Sequence, residues 1–63
     1  MLSDQIKKYR IRQTMTQEHL AIRAKMTYAT LIKLESGANT NPTLKTLRKL
    51  SKALSIPIAN LIT

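Results

Sequence analysis

The sequence has no cysteine, tryptophan or phenylalanine, and it has only one glycine, two prolines and one histidine. Without cysteine the chain cannot form a disulfide scaffold, and one histidine with three carboxylates is too small a ligand set for a structural zinc site. We therefore expect no metal, no cofactor, and a fold held together by apolar packing alone. Apolar runs of the length that a signal peptide or a transmembrane helix needs are also missing, so the sequence predicts neither.

Acidic residues are few, which leaves the charge of the chain unbalanced. Eleven lysines and arginines face three aspartates and glutamates, giving a formal net charge of +8 over 63 residues. A chain of this length predicts one domain, residues 1–63, with a thin core and no deep substrate cleft, so we expect no enzymatic activity. The cationic surplus favours polyanionic partners, first nucleic acid and second an anionic membrane surface.

Strong helix formers dominate the sequence, and turn-forming residues are confined to short stretches, so we predict an all-α fold. Thr16, Thr27 and Thr43 each precede an apolar periodic segment and are expected to cap the following helix with their side-chain oxygens. Gly37 is expected to end the third helix. The predicted helices cover about residues 3–13, 17–24, 28–36, 44–54 and 58–62.

Apolar residues recur at helical spacing along one side of two predicted helices. These stripes consist of Leu2, Ile6 and Tyr9 in the first helix and of Leu44, Leu47, Leu50, Ala53 and Leu54 in the fourth. The other side of the fourth helix is basic, with Lys45, Arg48, Lys49 and Lys52. This basic side is either a solvated face or a second track for phosphates. Because each helix has its own core stripe and cap, a folded domain is favoured over a basic amphipathic membrane binder.

The second and third predicted helices are separated by a short turn, which is typical of a helix-turn-helix whose second helix enters the DNA major groove. At 100° per residue, Leu31 and Leu34 fall on the inner side of the third helix. The outer side consists of Ala29, Ile32, Lys33 and Ser36, with Tyr28 at the amino-terminal end. Small side chains let a helix approach base edges, and longer ones reach their donors, acceptors and methyl groups.

The run MTQEHLAIRAKMTYATLIKLESG, followed by NPTLKTLRKLSKAL, resembles the lambda-repressor-like (Xre/Cro type) DNA-binding domains of phage repressors and bacterial regulators. The resemblance extends from Ile6 to Leu61, and its most specific parts are TQE at 16–18, ESG at 35–37 and PTL at 42–44. It implies a compact five-helix domain that binds double-stranded DNA at a near-palindromic operator as a homodimer. A repressor-like transcriptional regulator, cytoplasmic and encoded by a bacterium or phage, is therefore expected.

The resemblance and the outer face together predict a set of DNA-contacting residues. This set is Thr16, Gln17, Thr27, Tyr28, Ala29, Ile32, Lys33, Ser36, Asn39, Thr40 and Asn41. Gln17 matches a residue that lies against a phosphate and supports the recognition helix. Tyr28 either contacts DNA or packs at the margin of the third helix, and Lys33 either contacts guanine or phosphate or is solvated. Ile32 is either scattered apolar surface or a contact to a thymine methyl or another subunit.

Arg10 and Glu35 match a pair that forms a partly buried salt bridge between the first and third helices of phage members, where it would orient the third helix. The alternative is that both side chains are merely solvated. The resemblance also implies a dimer interface in the region that holds the apolar residues Pro42, Leu44, Ile58 and Ile62. The family often has glycine at the positions of Thr14, Lys25 and Ser55, so these residues are expected to adopt their turns with strain or altered geometry.

An alternative function is an antitoxin-like module that binds a partner protein and also its own promoter. His19 stands where a glutamate would complete a capping box, and we expect it to be an ordinary surface residue without metal or catalytic chemistry.

Overall fold

Five α-helices form most of residues 1–62, the part of the chain that this computed structural model describes. The helices are α1 (Leu2–Arg12), α2 (Gln17–Arg23), α3 (Tyr28–Ser36), α4 (Leu44–Leu54) and α5 (Ile58–Ile62). The predicted all-α class, number of helices and order are confirmed. The bounds differ by one residue in two helices, since α1 covers Leu2–Arg12 instead of 3–13 and α2 ends at Arg23 instead of Ala24. Such shifts are usual where the last turn loses helical geometry.

Side-chain caps start three of the helices, as the sequence predicts. The amide N–H groups of His19, Thr30 and Thr46 donate to the hydroxyl oxygens three residues earlier in the chain. The accepting oxygens belong to Thr16 at 3.0 Å, Thr27 at 3.1 Å and Thr43 at 3.2 Å. Each bond satisfies an amide that has no partner inside its helix, which fixes where α2, α3 and α4 begin.

Left-handed residues end three helices without glycine. The φ angles of Thr14, Lys25 and Ser55 are 55°, 54° and 56°. In each case the next residue is apolar, and its amide donates to a carbonyl five residues earlier. These bonds run from Met15 to Arg10 at 3.1 Å, from Met26 to Ala21 at 3.0 Å and from Ile56 to Ser51 at 3.1 Å. The pattern is a Schellman motif, which turns the chain sharply and directs an apolar side chain back to the core.

The core lies between all five helices, because α1 packs against α3, α4 and α5 while α2 packs against α3 and α4. Its fully buried large side chains are Ile6, Leu20, Leu31, Leu34, Leu50, Leu54 and Leu61. The prediction that Leu44 belongs to the core stripe of α4 is wrong, since 54% of its surface is exposed. Leu44 occupies the first position of α4, directly after the 37–43 loop, and only the later part of that stripe reaches the core.

Candidate nucleic-acid interface

The helix α3 has two sharply different sides. Leu31 and Leu34 are completely buried, and Glu35 beside them is 3% exposed. On the opposite side Ala29, Lys33 and Ser36 are exposed, and Tyr28 is 49% exposed at the start of the helix. Ile32 is less exposed than the outer position predicts, because α3 is flanked by both α1 and α2 and its margin is partly covered. The exposed side of α3 thus has mostly small side chains, and Lys33 is the one charged residue on it.

A buried ion pair fixes α3 against α1. Nε of Arg10 lies 2.8 Å from Oε2 of Glu35, and Nη2 lies 3.1 Å from Oε1, so the guanidinium binds the carboxylate with two parallel hydrogen bonds. The third nitrogen, Nη1, donates to the Met15 carbonyl at 2.8 Å. Only 13% of the Arg10 side chain and 1% of the Glu35 side chain are exposed. This arrangement is rigid because both ends of the pair are hydrogen-bonded in a fixed plane.

Gln17 extends this network from the ion pair to the protein surface. Its Nε2 donates to Oε1 of Glu35 at 3.3 Å, and its Oε1 accepts from the Tyr28 hydroxyl at 3.4 Å. The first residue of α2 is therefore linked to the first residue of α3. Through these contacts the side chain of Tyr28 has a preferred position on the exposed side of α3.

The remaining predicted contact residues surround α3. Thr16 and Thr27 are exposed at the starts of α2 and α3, where their hydroxyls already cap the helices. The loop residues Asn39, Thr40 and Asn41 are exposed beyond its carboxyl end. Oδ1 of Asn39 accepts from the backbone N–H of Asn41 at 3.1 Å, and the backbone N–H of Asn39 donates to the Lys33 carbonyl at 3.0 Å. These bonds tie the loop to the end of α3.

The residues predicted for a dimer interface lie on α4, α5 and the loop before α4. Leu44 is 54% exposed and Ile62 is 63% exposed, whereas Pro42 and Ile58 are partly buried. Because α4 and α5 pack against each other, these apolar residues belong to neighbouring elements. Leu44 and Ile62 are accessible in the single chain, and Pro42 and Ile58 are accessible only in part.

One cluster of charged residues was not predicted from the sequence. An open cleft of about 330 Å³, which we call the basic cleft, lies between the carboxyl end of α2 and α4. Its lining consists of Arg23, Ala24, Lys25, Lys49 and Lys52. The sequence marks the α4 lysines as basic, but only the packing of α2 against α4 brings Arg23 and Lys25 to them.

Neither a metal site nor a membrane-spanning helix is found among residues 1–62. No group of three or more histidine, cysteine, aspartate or glutamate side chains converges in a way that could hold a metal ion there. Across the same residues, no helix has both the length and the apolar character that are needed to span a membrane.

A short helix pair whose second helix exposes a small, basic face defines a class of DNA-binding domain. The family model described as helix-turn-helix matches residues 6–61 of the chain. The chain therefore belongs to this family, of the DNA-binding, transcription-regulator type, and the resemblance noted in the sequence is confirmed. Among curated proteins, no sequence matches the chain significantly.

Proposed function

We propose that the chain binds double-stranded DNA sequence-specifically as a repressor-like regulator, with α3 inserted into the major groove. The observation that supports this most directly is the division of α3 into two sides. Leu31 and Leu34 are completely buried, whereas Lys33 on the same helix is exposed. A helix anchored by one side can present the other to base edges at a fixed distance and angle.

The exposed side of α3 is suited to base contacts. Ala29 is small enough to let the helix backbone approach the groove floor. Lys33, one turn later, reaches the acceptors of guanine or a neighbouring phosphate. Tyr28 offers a hydroxyl and a ring at the end of α3 that enters first, and its hydrogen bond to Gln17 limits where they point.

Backbone contacts would come from the residues around α3. They are Thr16, Gln17, Thr27, Ser36, Asn39, Thr40 and Asn41, whereas Ile32, at the margin of the helix, would contact a thymine methyl group or another subunit. Hydroxyl and amide groups at such positions bind phosphate oxygens and fix the register of a domain on DNA. The formal net charge of +8 provides the long-range attraction.

A homodimer on a near-palindromic operator is the proposed assembly, with Pro42, Leu44, Ile58 and Ile62 at its interface. The exposed fractions of Leu44 (54%) and Ile62 (63%) support this placement, because association would remove apolar surface from water. The two recognition helices would then contact half-sites about 34 Å apart, one turn of the double helix. Bound in this way, the dimer would repress transcription by occluding the promoter.

The salt dependence of binding tests the electrostatic part of the proposal. If a dimer contacts about six phosphates, the logarithm of the affinity falls with the logarithm of salt concentration with a slope of about −5. Fluorescence anisotropy of a labelled duplex, measured over a range of sodium chloride concentrations, gives this slope. A slope near zero would contradict a DNA-binding function.

Selection from random duplexes tests sequence specificity. Duplexes are enriched on the purified chain and then on Lys33→Ala and Tyr28→Ala, with Lys7→Ala on the exposed side of α1 as the control. We expect an enriched operator-like sequence that the control retains and that changes in the two α3 variants. The base-contact assignment is wrong if all four proteins select the same sequence.

A further inference from the structure

The basic cleft has four cationic side chains and no acidic one. Arg23 and Lys25 come from the carboxyl end of α2 and the turn after it, and Lys49 and Lys52 come from α4. None of these residues belongs to the predicted DNA-contacting set. The sequence left Lys49 and Lys52 as either a solvated face or a track for phosphates, and it gave no role to Arg23 and Lys25. A cluster of like charges around one depression raises the local potential, which an anion would lower.

None of the three side-chain carboxylates among residues 1–62 neutralises the basic cleft. Within residues 1–62, Asp4 pairs with the terminal amine and Glu35 pairs with Arg10 in the core. Glu18 lies in the first turn of α2, at the opposite end of that helix from Arg23. The four cations therefore have no acidic partner among the described residues.

One of the cations makes a long hydrogen bond to the backbone of the turn after α2. Nζ of Lys49 donates to the Lys25 carbonyl at 3.5 Å, and the Lys49 side chain is partly buried, unlike the other three cationic residues. The ammonium has two further N–H donors, which remain available for a ligand. Ala24, which also lines the cleft, is 2% exposed and adds no charge.

We propose that the basic cleft binds a compact polyphosphate anion, such as pyrophosphate or the phosphate chain of a nucleoside triphosphate. Lysines bind phosphate as point charges, and arginine binds it with two parallel hydrogen bonds. The cleft volume of about 330 Å³ is near the lower end of the range of ligand sites, which extends from about 300 to 1,000 Å³. A small ligand with several negative charges therefore suits both the size and the charge of the cleft.

Two larger anions fit this geometry less well. In an extended acidic peptide, neighbouring carboxylates are about 3.4 Å apart along the chain and alternate between opposite sides, so few of them could enter together. The phosphates of a DNA strand are about 3.4 Å apart along the axis of a stiff duplex, so only one or two of them could enter the cleft. A short polyphosphate is not attached to a duplex or a peptide backbone, so its charges can enter the cleft together.

The test is a titration of the ¹⁵N-labelled chain with sodium pyrophosphate, followed by amide NMR shifts at constant ionic strength. Lys52→Gln removes one charge from the basic cleft, and Lys7→Gln removes one exposed charge from α1 as the matched control. We expect saturable shifts at Ala24, Lys25 and Lys49. Binding should weaken about fivefold in Lys52→Gln, as expected for one exposed ionic contact, and remain unchanged in Lys7→Gln.

Further titrations distinguish the class of anion. Adenosine triphosphate should shift the same amides and saturate, and it should compete with pyrophosphate. If hexaglutamate shifts these amides and pyrophosphate does not, the basic cleft binds an acidic peptide instead. If a short duplex does so, the cleft binds nucleic acid. Non-saturable shifts spread over all lysines, or equal weakening in both variants, would show charge screening without a site. Amide spectra of both variants verify that they are folded.

Discussion

Charged residues in this molecule fall into two regions with opposite character. In the interior, Arg10 and Glu35 form an ion pair whose remaining polar atoms are bound by Gln17 and the Met15 carbonyl. On the surface, lysines and arginines outnumber carboxylates, and Lys33 and the basic cleft have no acidic partner among residues 1–62. The same residue types thus act differently. Interior charges fix the geometry of the chain, whereas surface charges remain available to a partner.

The difference follows from solvation. A buried carboxylate loses the hydration that stabilises its charge, so it is tolerated only when several donors replace the water. Glu35 has three such bonds, two from Arg10 and one from Gln17. A solvated lysine needs no such compensation, and an ion pair at the surface contributes little to stability. Mutations of the interior charges should therefore change the free energy of unfolding, whereas mutations of the surface charges should change binding.

The largest effect on stability is expected for Arg10→Ala. This change leaves Glu35 buried without its ionic partner, and it should lower the free energy of unfolding by about 3–5 kcal/mol. For a chain of this size such a loss is a large part of the total stability. Urea unfolding followed by circular dichroism measures the change.

The control for Arg10→Ala is Arg12→Ala, which removes an exposed arginine from the same helix. We expect a loss below about 1 kcal/mol for this control, as for other surface substitutions. The double variant Arg10→Met, Glu35→Leu removes both charges and should recover most of the lost stability. Equal losses in the Arg10 and Arg12 variants would contradict the distinction between interior and surface charge.

A smaller effect is expected for Gln17→Ala, at the point where the interior network reaches the surface. The variant removes one donor to Glu35 and the acceptor for the Tyr28 hydroxyl, and it should cost about 0.5–1.5 kcal/mol. Tyr28→Phe removes only the outer of these two bonds, so its stability should lie close to that of the unmodified chain. If Tyr28→Phe is the more damaging variant, the network is not anchored at Glu35 as the distances indicate.

Local signals in the sequence predicted the helices well. Threonine caps and Gly37 mark helix ends through interactions within a few residues, and the inner positions of α3 follow from its period alone. The resemblance placed Arg10 opposite Glu35, and the structure contains that pair. Features that depend on packing between distant segments were not predictable. The exposure of Leu44 and the formation of the basic cleft are of this kind, because neighbouring elements decide them.

A modest gain in stability is expected for Lys25→Gly, in the turn between α2 and α3. At a φ angle of 54° a side chain costs roughly 1–2 kcal/mol, which exceeds the backbone entropy that glycine adds to the unfolded chain. The variant should be more stable by about 0.5–1 kcal/mol. Thr14→Gly, at a φ angle of 55°, makes the same backbone change without altering charge and should give a similar gain in thermal unfolding. A loss in both variants would show that the turns are not strained.

The smallest change in stability, and the sharpest contrast with Arg10, is expected for Lys33→Ala. The side chain is exposed on α3, so unfolding should change by no more than about 0.5 kcal/mol, whereas DNA binding should weaken clearly. Binding to the selected operator and to scrambled duplexes at several salt concentrations separates two causes. A contact to a base weakens operator binding by about 1–3 kcal/mol and relaxes specificity, whereas a phosphate contact weakens all duplexes alike and lowers the salt slope by about one. If Lys33→Ala lowers both the stability and the DNA affinity, Lys33 contributes to the stability of the fold as the interior charges do. The separation between interior and surface charges would then not apply to α3.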